Sequence, residues 1–149
     1  NLGSYVAEHT EKDVVLWDGD CYVHEDITLE RLKQLKKVHP DAEIIVHPEC
    51  AAQARHFADF VGSTSQMSRY VAQSDEQEFI VGTEDNFVYS LWKENPGKKF
   101  YPVGTVCIGM NQIKLEKVKL ALERMEYRVY LPEKIRVKAK NALDKMLTI

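Results

Sequence analysis

Two short segments constrain the architecture more than any other feature of the chain. Glu43-Ile44-Ile45-Val46-His47 and Glu78-Phe79-Ile80-Val81-Gly82 are unbroken apolar runs rather than alternating ones, and Pro48 and Gly82 stop them abruptly. A strand that alternates shows one face to water. A run that is apolar at successive positions is buried on both faces, as in a parallel sheet covered by helices on either side.

The intervening sequence supplies those helices. Thr28 can cap a helix carrying Leu29, Leu32, Leu35 and Val38, which closes near Pro40. Ala51, Ala54, Phe57 and Ala58 give a thin apolar stripe. Ser63-Thr64-Ser65-Gln66 fits a capping box, opening a helix through Met67, Tyr70 and Val71. Phe87, Val88, Leu91 and Trp92 mark another, broken by Asn95-Pro96-Gly97, and Phe100 to Val103 reads as a brief strand. Leu115, Val118, Leu122 and Met125 predict a further amphipathic helix. Pro132 opens the last one, with Ile135, Ala139, Ala142, Leu143 and Met146 inward. Val14-Val15-Leu16-Trp17 reads as a first strand, ended by Asp18-Gly19-Asp20, and Tyr127 to Leu131 as a final one; Trp17 and Trp92 read as packing residues. The expected class is α/β, in three-layer αβα units with a parallel sheet.

With 149 residues, 44% of them hydrophobic, the chain can bury a core for about one domain. A net charge of −3 argues against nucleic acid as a partner. No run approaches the roughly 18 apolar residues of a membrane span, and no charged-then-apolar leader opens the sequence. Three cysteines, an odd number, fit a reducing compartment. A soluble, cytoplasmic protein without membrane contact is expected. Because the first residue is Asn1 rather than Met, a fragment or a processed product is expected too.

In βα sheets, ligands gather at the carboxyl ends of strands. Three polar clusters fall there in this reading: His24 in the loop after the first strand, His47 with Glu49 after the second, and Thr83-Glu84 after the third. His47 and Glu49 stand two residues apart on one side of an extended segment that Pro48 restrains. Such a pair can move protons or grip a substrate amine and carboxyl. A strand-end histidine capping the backbone, with Glu49 complementing the next helix dipole, fits the same residues. Ser63 and Thr64 at a helix start can hold a phosphate or carboxylate on free N–H groups, or serve as a plain N-cap. Cys21, Cys50 and Cys107 lack the CxxC spacing of zinc sites. Cys21 and Cys107 look like loop cysteines, able to hold a metal or iron–sulfur centre or to be small buried hydrophobes, whereas Cys50 begins a helix. Lys134, Arg136, Lys138 and Lys140 form no single stripe and read as solvated surface.

Taken in order, Asn1-Leu2-Gly3, Cys21-Tyr22-Val23-His24, His47-Pro48-Glu49, Gly62-Ser63-Thr64-Ser65, Gly82-Thr83-Glu84 and Cys107-Ile108-Gly109-Met110 resemble quinolinate synthase across essentially the whole chain. The resemblance implies an architecture of three similar α/β domains around a pseudo-threefold axis. Residues 1–22 would be the end of the middle domain and 23–149 the third domain with its C-terminal helices. It implies a 4Fe–4S cluster at the centre, held by one cysteine from each domain. Cys21 and Cys107 match two of these ligands. The third belongs to a first domain with no counterpart here, and Cys50 lies outside the set. The implied activity condenses iminoaspartate with dihydroxyacetone phosphate to quinolinate, on the route to NAD, with a partner enzyme supplying iminoaspartate. Glu49 and His47 match the acid–base pair, His24 a cavity contact, and Ser63 and Thr64 the anion-holding residues, with Thr83 and Glu84 behind them. The chain alone would then be half a site, inactive by itself. Two other readings stay open on the residues themselves: a non-catalytic phosphosugar-binding module, and a zinc hydrolase using His24, His47 and Glu49.

Overall fold

The computed structural model describes residues 1–148. Its sheet has four parallel strands, β1 (Glu43–Val46), β2 (Phe60–Val61), β3 (Glu78–Gly82) and β4 (Lys99–Pro102), in the order β2-β1-β3-β4. The two apolar runs lie at its centre, paired from Glu43 against Phe79 to Val46 against Gly82. Successive side chains of a strand point to opposite faces, and both faces are filled. Ile44, Val46 and Ile80 pack with Ile27, Leu32, Ala54 and Val103 on one face, and Ile45, Phe79 and Val81 with Met67, Val71 and Leu91 on the other.

Six helices accompany this sheet: α1 (Leu2–Glu8), α2 (Tyr22–Glu25), α3 (Leu29–Val38), α4 (Ala52–Phe57), α5 (Thr64–Gln73) and α6 (Asn86–Glu94). Leu32 of α3 and Ala54 of α4 belong to the first core cluster, and Met67 and Val71 of α5 with Leu91 of α6 to the second. The three-layer αβα arrangement expected from the sequence is therefore the one that forms. Thr28 caps α3 through the Arg31 N–H, and α5 carries the complete capping box, Ser63 accepting from the Gln66 N–H while Gln66 accepts from the Ser63 N–H. Gly82 is required where β1 and β3 touch, since a Cβ there would stand 2.7 Å from Val46 Cγ1.

Some sequence expectations fail, for identifiable reasons. Val14–Trp17 is not a strand. It has no pairing neighbour among the described residues, and Val15 and Trp17 are 96% and 91% exposed. His24 consequently follows no strand and lies instead in α2, and Trp17 is not a packing residue; Trp92 is exposed as well. Tyr127–Leu131 also lacks a strand partner. Val38, at the end of the α3 stripe, faces solvent.

The chain divides into two compact units, Asn1–Ile108 and Gly109–Ile149. The second contains a short 3₁₀ turn (Met110–Gln112), α7 (Leu115–Arg124) and α8 (Glu133–Met146), with Met125 closing α7 in the left-handed conformation. Both helices form where their periodicity places them, but the stripes predicted to face inward do not. Leu115, Val118, Leu122 and Met125 are exposed, and so are Ile135, Leu143 and Met146. Among the described residues of this unit only Ala121 is half-buried.

Candidate functional site

Parallel strands end at the same rim, so the residues following each strand are brought into one row. His47 follows β1, Gly62-Ser63 follows β2, Thr83 follows β3, and Val103-Gly104 follows β4. Backbone bonds continue the ladder past the strand ends: Gly62 N–H to Val46 O at 3.1 Å, His47 N–H to Gly82 O at 3.0 Å, and Val103 N–H to Val81 O at 3.3 Å. The chain leaves β1 toward β2 and β3 toward β4, so the connections part between β1 and β3. Ligands of open parallel sheets bind in the crevice such a divergence leaves. His47 and Thr83 flank it.

His24 completes the group from α2. Its buried ring stacks on His47 with centroids 4.4 Å apart and planes 17° apart. Nε2 lies 3.0 Å from Thr83 Oγ1, and Nδ1 lies 2.9 Å from Glu49 Oε2. Nδ1 is buried, so the approach of the Glu49 carboxylate is made away from solvent. His47 Nδ1 accepts the Glu49 N–H at 3.3 Å, so a neutral His47 carries its proton on Nε2. Glu49 Oε2 is also 3.6 Å from His47 Nδ1. Burial holds both histidines below the ordinary value of 6.5. For His24 the Glu49 charge opposes that shift, and for His47 the neighbouring His24 reinforces it.

Cys21 stands at the N-cap of α2, and its Sγ, a His24 nitrogen and a Glu49 oxygen all lie within 4.8 Å of one another. A thiol, an imidazole and a carboxylate so arranged are a donor set for a transition metal. A cavity of about 1000 Å³ opens beside them, lined by Asn1–Ser4, Val14–Asp20 and Glu25 together with Cys21 and Glu49. Cys50, by contrast, is fully buried in the sheet core, its Sγ–H directed to Gly82 O at 3.6 Å, and burial pushes its thiol up to about 12.

The turn bearing Cys107 follows β4 and is held from several sides. Asp85 Oδ1 accepts the N–H groups of Gly104 and Thr105, both at 3.0 Å, and the buried Glu84 carboxylate accepts the Cys107 N–H at 3.4 Å. Arg31 Nη2 donates to Gly104 O at 3.0 Å. Thr105 Oγ1 donates to Thr83 O at 3.0 Å, tying this turn to the residue that contacts His24. Ser63 is engaged in its capping box, and Thr64 is exposed at the first position of α5.

Over residues 1–148 the sequence matches the family model described as quinolinate synthetase A protein. The chain belongs to the quinolinate synthetase A family. Quinolinate synthase 2 of Methanosarcina acetivorans is 45% identical over 151 aligned positions, which cover 100% of this chain and 49% of that protein. The quinolinate synthase of Desulforudis audaxviator is 45% identical, with 100% and 50% covered, and that of Thermodesulfovibrio yellowstonii 43% identical over the same shares. The chain thus spans about half the length of the curated relatives it matches.

The structure adds residues that the sequence alone did not single out. Asp85 organises the Cys107 turn, and Tyr22 reaches it from α2. Buried Arg55 donates to Cys50 O at 2.7 Å and to Glu8 Oε1 at 2.9 Å, fastening α1 beside α4. A buried arginine facing an acidic residue 47 positions away leaves no local signature. Tyr22 did offer one, since it adjoins Cys21.

Proposed function

We propose that the protein carrying this chain is a quinolinate synthase, which condenses iminoaspartate with dihydroxyacetone phosphate to give quinolinate, phosphate and water. The observation that carries this reading, beyond family membership, is the gathering of the Glu49 carboxylate, the Cys21 thiol and the stacked His24 and His47 rings at the carboxyl rim of the sheet. In the same reading residues 1–22 close a middle domain and 23–149 form a third. The remaining domains of a pseudo-threefold enzyme complete the cavity, and this chain alone turns over nothing. The reducing cytoplasm is its compartment.

Cys21 and Cys107 would hold a 4Fe–4S cluster together with a third cysteine from the half of the family outside this chain. The donor chemistry fits: both thiols are partly accessible, whereas the buried Cys50 thiol is held protonated. Bound, such a cluster supplies a Lewis-acidic iron for the dehydration chemistry. The protein's own groups supply the proton transfers. Glu49, as a carboxylate, takes a proton from the condensing substrate, and neutral His24 across 2.9 Å receives or returns it at Nδ1. His47 offers its Nε2–H to a substrate carboxylate or imine. Ser63 and Thr64 at the N-terminus of α5 hold the phosphate on helix N–H groups and hydroxyls.

Anaerobic reconstitution with iron and sulfide tests this on the protein that carries the chain. Iron and acid-labile sulfide are expected in the wild type and lost in Cys21→Ser and Cys107→Ser. Glu49→Gln is expected to keep its iron while turnover falls by about 10²–10⁴-fold, the range for removing a general base. Zinc bound without sulfide, or a cluster indifferent to both cysteine replacements, overturns the proposal.

A further inference from the structure

Tyr22 occupies an unusual position between the two cysteines assigned above. In sequence it adjoins Cys21; in space its hydroxyl belongs to the other cysteine. The phenol oxygen accepts the Ile108 N–H at 3.0 Å and lies 3.7 Å from Cys107 Sγ, within donating range of the sulfur. Its hydroxyl thus joins segments 85 and 86 positions apart, although half of the Tyr22 surface is open to solvent. The other ties on this turn, from Asp85, Glu84 and Arg31, all end on backbone atoms. The Tyr22 hydroxyl reaches the sulfur itself.

We propose that Tyr22 is a positioning residue for Cys107, stapling the α2 segment that carries Cys21 to the turn that carries Cys107 and donating its O–H to the Cys107 sulfur. The inference rests on the cysteine assignment under the proposed function for its redox consequence, but not for its structural part. The arrangement is a short relay, Ile108 N–H to phenol oxygen and phenol O–H to sulfur, in which each bond polarises the next. A donor aimed at a ligating sulfur withdraws charge from it, and hydrogen bonds to such sulfurs are among the factors that set iron–sulfur reduction potentials. A tyrosine held there also fixes the direction in which Sγ is presented.

Tyr22→Phe removes a single oxygen and keeps the ring, so it isolates the relay from packing. Two measurements on the protein carrying this chain decide the matter. In the metal-free protein, amide hydrogen exchange of a peptide spanning residues 105–110 is expected to become roughly threefold to tenfold faster in Tyr22→Phe, the span that loss of one ordinary hydrogen bond gives. Peptides from β3 should not change, which reports that the fold is intact. In the reconstituted protein, iron content is expected to match the wild type while the midpoint potential shifts to a more negative value, a change that loss of packing alone would not produce. Unchanged exchange at residues 105–110, or an unchanged potential in a fully loaded variant, overturns the proposal. If the wild type itself takes up no iron–sulfur cluster, the catalytic reading falls while the exchange measurement still decides the role of Tyr22.

Discussion

His24 and His47 face each other at 4.4 Å with Glu49 beside both, and two protonated rings at that spacing would repel one another. Burial keeps them neutral instead, and this has a consequence for stability with a definite sign. His47 binds protons less readily folded than unfolded, so its contribution is complete above the ordinary value of 6.5 and is lost as pH falls from there toward the lowered folded value. Urea midpoints measured between about pH 7.5 and pH 5.5 are expected to fall with acidification, and less steeply in His47→Gln. An equal slope in both proteins would place the titrating groups elsewhere. At this scale the sequence was partly legible. The spacing of His47 and Glu49 across Pro48 already implied a pair, because geometry two residues apart is local. That His24 joins them was expected from the rim and from the family resemblance, but its contacts were not, because they depend on β1 and β3 being neighbours, on His24 lying in α2 and on Thr83 receiving the far side of the imidazole.

The elements read most easily are those whose local pattern and long-range partners agree. β1 and β3 are apolar at successive positions and lie side by side, each satisfying the other. Val14–Trp17 has the same composition with no strand to join, and a run without a neighbour remains coil. β2 was overlooked because two residues carry no period. α5 was legible down to its first hydrogen bonds, since Ser63 and Gln66 satisfy one another across three positions. That completeness yields a separable test. Ser63→Ala is expected to destabilise the fold by about 1 kcal/mol in urea titration, whereas Ser63→Asn retains a capping acceptor and should recover most of it. If KM for the phosphate-bearing substrate stays raised in Ser63→Asn, the hydroxyl serves the ligand as well as the helix. If KM returns with stability, capping is its whole role.

The molecule as a whole is uneven in how it shields its apolar groups. The sheet unit buries large side chains on both faces, while the unit from Gly109 onward leaves Ile113, Leu115, Met125, Tyr127, Val129, Leu147 and others open to water. Exposure on that scale is characteristic of surfaces that meet another partner, and short helices gain most of their stability from such packing. Removing residues 109–149 is therefore expected to lower hydrophobic-dye binding sharply; unchanged dye binding would show that these side chains are not the exposed ones. No helix among the described residues is long and apolar enough to cross a membrane.

Because all four strands run the same way, the chain divides its labour between two rims. Every group assigned to chemistry follows a strand or approaches that end, whereas Pro40-Asp41 and Asn95-Pro96-Gly97 turn at the opposite rim, before β1 and β4. A strand of four residues separates the two by about 13 Å, and a side chain added at Gly97 would meet nothing within 4 Å. Gly97 is accordingly the place to attach a fluorophore or a surface tether: a reporter there would ride on the sheet while leaving the carboxyl rim unobstructed.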